Sequence, residues 1–196
     1  MHKQVLATDT YKIAKMNVPI FETPKLISSE LFDLISVIDD ENICVYTKDD
    51  TIVYKTLNCT IVGKLMDGIE NYAIDAINEL IDVEFPSFCS VSKSAFIQLL
   101  DRLMLFVGPY DNNGINLTFI SNGLQVSSMA ASGIEIIPYT ASDNFIDYTC
   151  TVDVYNLMQE IKSIQNDTIN IYYGNDSGLK FEDGNIIIII ALLDNE

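Results

Sequence analysis

Two rhythms of apolar and polar residues run along this chain, and the same succession of them returns three times. A short strand leads into a helix with period 3.6, and a hairpin with period 2 follows. The first copy occupies residues 26–56, LISSELFDLISVIDDENICVYTKDDTIVYKT. The second is FCSVSKSAFIQLLDRLMLF followed by GINLTFISNGLQVSSM at 114–129, and the third covers 146–183. In each helix the apolar residues recur at i, i+3, i+4 and i+7: Leu31, Leu34, Ile35, Ile38, then Phe96, Leu99, Leu100, Leu103, then Val154, Leu157, Met158, Ile161. That spacing places each set of four on one helix face, which is expected to be buried. The hairpins alternate around turn signals at Asp49-Asp50, Asn122-Gly123 and Asp176-Ser177-Gly178.

Outside the copies, VLATDTYKIAKMNVPIF reads as two strands joined at Thr8-Asp9-Thr10. A further strand runs to Met66, with a turn at Asp67-Gly68. The β-branched run near the C-terminus, NIIIIIALL, predicts a strand buried on both faces. Pro86 breaks the pattern after the first copy, so the expected division is 1–85 and 86–196. The sum is an α+β chain of antiparallel sheets with the helices on one side.

Composition narrows the chemistry. The chain has 196 residues and a net charge of −17, with acid in excess in both halves, which argues against a generic nucleic-acid binder. Its one histidine, His2, sits near the N-terminus, leaving no basis for histidine acid–base catalysis. The four cysteines lack metal-type spacing and are expected to be reduced structural thiols, with Cys44, Cys59 and Cys150 in strands. No cofactor or metal is expected. The Asp pairs 39-40 and 49-50 read as helix-end and turn residues. No apolar run is long enough for a membrane span and no signal region follows Met1, so a cytoplasmic protein is expected.

Several segments, in order, resemble the bacterial DNA sliding clamp, the β subunit of DNA polymerase III. ATDTYKIA at 7–14 resembles that family's A-T-D-x-x-R/K-L segment. VGKLMDGIENY at 62–72 resembles its L-x-D/E-G-x-F-P-D-Y segment. SVSKSAFIQLLDRLMLF at 90–106 and INLTFISNGLQVSSM resemble the opening of the clamp's last domain. The resemblance implies the DNA-clamp fold, with an incomplete middle domain over 1–85 and a complete last domain over 86–196. By propensity IENYAIDAINELI reads either as a helix or as an extended crossing loop, and the resemblance implies that 69–86 is mostly an extended connector.

Clamps are not enzymes, and the resemblance implies a processivity factor that captures DNA polymerase and clamp-loader peptides, forms a homo-oligomer and encircles duplex DNA. Carried over by position, the peptide cleft would have Thr8, Tyr11, Lys12 and Ile13 on one wall. Ile189, Ile190, Leu192 and Leu193 would form the other. The family's C-terminal Pro and basic residue have no counterpart in IALLDNE. The DNA-facing cations would be Lys93, Arg102 and Lys162, a sparse set. That sparseness keeps a second reading open: a clamp-like adaptor or decoy that binds such peptides without encircling DNA. An unrelated α+β binding module is the third.

Overall fold

The computed structural model describes residues 4–18, 23–40, 42–108, 113–129 and 133–193. The chain folds into two compact units, Met1–Gln4 with Val18–Asp75, and Val5–Asn17 with Ala76–Glu196. The opening hairpin therefore groups with the C-terminal part of the chain.

The first unit is built on α1 (Ser29–Ser36) and an antiparallel sheet of β3 (Cys44–Lys48), β4 (Thr51–Lys55) and β5 (Thr60–Lys64), in the order β3-β4-β5. Ser28 caps α1, its hydroxyl accepting from the amide of Leu31. Leu31 packs on Ile52, Tyr54 and Leu65, with Ile35 and Ile61 at the margin. The approach is close at Gly63, where a Cβ would stand 2.5 Å from a Leu31 methyl. The expected apolar face is only partly covered. Leu31 is buried and Ile35 and Ile38 half-buried, but Leu34 is 55% exposed, and Phe32 and Val37 are exposed beside it. One three-stranded sheet is too narrow to cover more of the helix.

Residues 69–86 correct the expectation of a connector. Ile69–Asn71 form one 3-10 turn and Ile74–Ile81 form helix α2. The reason is local: Ile74, Ile77 and Ile81 recur at helical spacing, and Ile81 is buried.

The second unit holds two sheets and a helix pair. Strands β1 (Gln4–Thr8), β2 (Lys12–Asn17), β6 (Ser87–Ser92), β10 (Tyr139–Ala141), β12 (Thr168–Tyr173), β13 (Leu179–Asp183) and β14 (Ile186–Ile190) form a seven-stranded sheet ordered β1-β2-β14-β13-β12-β6-β10. Strands β7 (Gly114–Ile120), β8 (Gly123–Ser128), β9 (Ile134–Ile137) and β11 (Tyr148–Asp153) form the second, ordered β11-β7-β8-β9. Helices α3 (Lys93–Leu103) and α4 (Val154–Ser163) pack together, capped by Ser92 and Asp153. All eight expected apolar helix residues are buried here, none more than 4% exposed. Burial of each is worth about 1.5–3 kcal/mol.

The second and third copies repeat in detail. Gly123 and Gly178 each open the second hairpin strand at φ +151 and +148. A Cβ at either would meet a carbonyl of the following strand, Ile137 O at 2.5 Å or Ile190 O at 2.6 Å, so glycine is required twice for the same reason. The middle hairpin turns at Ser121-Asn122, with Gly123 already in the strand. Strands β9 and β10 are short and separated by Pro138, and the hydrophobic pattern does not announce them. Cys44 lies in β3 and Cys150 in β11, but Cys59 precedes β5 and is exposed.

Candidate functional site

Of the eight expected cleft residues, Lys12, Ile13, Ile189 and Ile190 lie where β2 pairs antiparallel with β14, within the second unit; Thr8 ends β1, Tyr11 precedes β2, and Leu192 and Leu193 follow β14. Ile13 stands opposite Ile189 and Lys12 opposite Ile190. The two faces of this seam differ. Ile188 and Ile190 belong to the core, and Ala14, opposite Ile188, packs against it. With period 2, Ile13 and Ile189 therefore point to the face away from the helices. Ile189 is 4% exposed and Ile13 half-buried. Ile190 is committed to the core, so its side chain offers no surface to a ligand.

Beyond the strands the two chain segments stay together. The carbonyl of Tyr11 accepts from the amide of Ala191 at 2.8 Å, and that of Thr151 accepts from Leu193 at 2.8 Å. Asp9 Oδ1 holds the turn by accepting from the amides of Tyr11 and Lys12, at 3.1 and 2.9 Å. Thr10 takes φ 78 there. Tyr11 is 61% exposed, Leu192 and Leu193 are half-buried with Leu192 packing against the core, and Thr8 is exposed at the end of β1. An aromatic ring and apolar side chains beside backbone groups are the chemistry that receives an extended peptide with apolar anchors.

Lys12 is not available as a cation. Its Nζ lies 2.8 Å from Gln159 Oε1 and 3.2 Å from Glu160 Oε1 on α4, and 3.5 Å from Asp9 Oδ2. Gln159 and Glu160 are thus parts of the seam that the sequence did not reveal.

The three candidate DNA-facing cations are mostly engaged. Lys93 donates to the carbonyls of Ile164 and Lys162, and so closes the C-terminal end of α4. Arg102 forms a bidentate pair with Glu135 of β9, with Nε 2.9 Å from Oε1 and a second bond from the guanidinium to Oε2. The guanidinium holds the Glu135 carboxyl below its usual range. Lys162 is exposed and makes no ion pair among the described residues.

An open recess of about 340 Å³ lies elsewhere, lined by Ser90, Ser92, Tyr139, Thr140 and Thr168 among others, and includes none of the seam residues. Among the described residues no cluster of His, Cys, Asp and Glu could hold a metal ion. Nor is any described helix long and apolar enough to cross a membrane.

This arrangement of strand–helix–hairpin units, with paired helices backed by antiparallel sheets, is the fold of the DNA sliding clamps. The likeness is specifically to β subunits of bacterial DNA polymerase III. The β subunit from Borrelia burgdorferi superposes with a TM-score of 0.85 at 17% identity, covering 98% of this chain and 52% of that one. A putative β subunit from Eubacterium rectale gives 0.83 at 19% identity, covering 99% and 55%. The sliding clamp of Bacillus subtilis gives 0.83 at 17% identity, covering 100% and 55%. At these identities the likeness is one of fold, and the chain spans about half the length of each structure. No protein-family model matches the sequence. No curated protein matches it either.

Proposed function

We propose that this chain acts as a clamp-like replication protein, not an enzyme, that captures extended peptides from DNA polymerase and clamp-loader proteins at the β2–β14 seam. One observation supports the reading: in a chain with the clamp fold, Ile13 stands opposite Ile189 in the β2–β14 pairing, and the pairing continues past β2 and β14 through the Tyr11–Ala191 hydrogen bond, next to Leu192 and Leu193 in sequence. On this reading 1–85 serves as an incomplete middle domain and 86–196 as a last domain. The protein works in the cytoplasm as a homo-oligomer.

Encirclement of duplex DNA is the sliding-clamp form of the proposal, with the exposed face of α3 and α4 toward the DNA. The adaptor reading, peptide capture without encirclement, is favoured by the engagement of Lys93 and Arg102, which leaves Lys162 the one cation of the three without a partner among the described residues. Retention on closed circular DNA in the presence of a loader separates the two. A sliding clamp stays on the circle and is lost when the DNA is linearised. Equal loss from both forms leaves only the adaptor.

A further inference from the structure

The β2–β14 seam carries unlike charge at its two ends. At the end formed by the turn between Thr8 and Lys12, one ammonium faces two carboxylates. Lys12 Nζ lies 3.2 Å from Glu160 Oε1 and 3.5 Å from Asp9 Oδ2, with Gln159 Oε1 at 2.8 Å. One positive charge does not neutralise both acids, so this end keeps an excess of negative charge. The two carboxylates meet solvent unequally. Glu160 is largely shielded, as is Lys12, whereas the Asp9 side chain is 53% exposed. Asp9 is therefore the carboxylate that an incoming ligand meets.

The other cations of the elements that build the seam do not compensate it. Lys15, the next lysine on β2, stands opposite Ile187, toward the far end of the seam. Lys180 of β13, opposite Ile189, is 3.0 Å from Glu182 Oε1 on its own strand. Its ammonium also lies over the rings of Tyr172 and Phe85, 4.8 and 5.5 Å from their centroids. Lys162 follows Glu160 by two positions on α4, a spacing that places it on another face of the helix. The residues that follow Leu193 in the sequence, Asp194, Asn195 and Glu196, include two acids and no Lys or Arg.

Beside Asp9 stands an exposed aromatic side chain. Asp9 Oδ1 accepts from the amide of Tyr11 at 3.1 Å, so the carboxylate and the tyrosine are held on one turn, just ahead of the half-buried Ile13. A carboxylate next to an aromatic ring is the chemistry that receives an ammonium or a guanidinium, by ion pairing and by cation–π attraction together.

We infer that the seam selects extended peptides that carry a lysine or arginine beside their apolar anchors, and that Asp9 and Tyr11 receive that cation. This selectivity rests on the peptide-capture reading and adds the partner's charge to it. Lys12 does not contact the peptide cation; it ties the turn to α4. A peptide with acidic flanks meets Asp9 and is disfavoured by like-charge repulsion. The order of charges in the chain, Asp9 before Ile13 and Lys15 after it, also gives the bound peptide a direction, with its cation at the turn.

The test compares two labelled peptides that share the apolar anchors of a clamp-binding peptide, one flanked on each side by lysine and the other by glutamate. Fluorescence anisotropy at low ionic strength is expected to show the lysine peptide bound at least about fivefold more tightly. Added salt is expected to shrink the gap. Asp9→Asn keeps an oxygen for the amides of Tyr11 and Lys12 but removes the charge, and the gap is expected to fall below about twofold. Tyr11→Leu keeps an apolar side chain and is expected to narrow the gap in part. Asp33→Asn, on α1 of the first unit, removes the same charge elsewhere and is expected to leave the gap unchanged. Circular dichroism checks that each variant folds. Equal affinity for the two peptides, tighter binding of the glutamate peptide, a gap that Asp9→Asn leaves in place, or one that Asp33→Asn narrows as much, overturns the selectivity and leaves peptide capture standing. Failure of both peptides to bind removes peptide capture and the selectivity with it.

Discussion

The ammonium of Lys12 lies 3.2 Å from the carboxylate of Glu160, and both side chains are largely shielded from water, at 13% and 15% exposure. This pair fastens the opening hairpin to α4, 148 positions away in the chain. Together with the pairing of β2 to β14, it joins residues 5–17 to the C-terminal unit. Glu160→Ala leaves Lys12 with Gln159 and the exposed Asp9 but without its shielded counter-charge. The expected cost is about 1–3 kcal/mol. Amide hydrogen exchange should then quicken over 5–17 and remain slow in β12 and β13. Uniform protection in the variant would show that the pair does not hold the hairpin.

In the first unit the structure separates two leucines that the hydrophobic pattern treated alike. Leu31→Ala removes a buried side chain and is expected to cost about 2–4 kcal/mol. Leu34→Ala, on the exposed side, should cost less than about 0.5 kcal/mol in the monomer. Gly63→Ala places a Cβ against Leu31 and should cost about 1–3 kcal/mol. Urea unfolding followed by a probe in this unit measures all three. A Leu34→Ala cost equal to that of Leu31→Ala would contradict the burial of α1 described above.

The four thiols divide in two. Burial pushes the Cys89 and Cys150 thiols up to about 12, while Cys44 and Cys59 are exposed. A thiol reagent at neutral pH is expected to modify two cysteines in the native protein and four in denaturant. The same burial fixes the sign of an alkaline effect. The unfolded chain releases these protons near pH 9 and the folded chain near 12. Between those values the folded state binds more protons, so stability falls as pH rises. The slope approaches about 1.4 kcal/mol per pH unit for each thiol. Tyr148 and Tyr172, raised to about 12 mainly by burial, act in the same direction. Stability that stays flat from about pH 9 to 11 would contradict burial of these groups.

The repeat was legible in the sequence because helix and hairpin periodicities depend on local burial. Phe96 through Leu103 and Val154 through Ile161 sit where their spacing places them. The exposure of Leu34 was not legible, since it depends on how much sheet lies beneath α1. Helix α2 was written in its isoleucine spacing, and the connector expected from the resemblance overrode that local signal. The seam residues were chosen by resemblance. Their neighbours Gln159 and Glu160 were not, because nothing local to α4 says that Lys12 will arrive there. The engagement of Arg102 by Glu135 was hidden for the same reason: β9 is short and carries no pattern of its own.

The central claim is that the β2–β14 seam captures peptides. It is tested most directly by titrating the chain with a labelled clamp-binding peptide and following fluorescence anisotropy. Saturable one-site binding is expected, weakened at least about tenfold by Tyr11→Ala and by Leu193→Asp, and unchanged by Val37→Asp on the first unit. No binding by the folded chain, or binding that Tyr11→Ala and Leu193→Asp leave intact, would contradict the account.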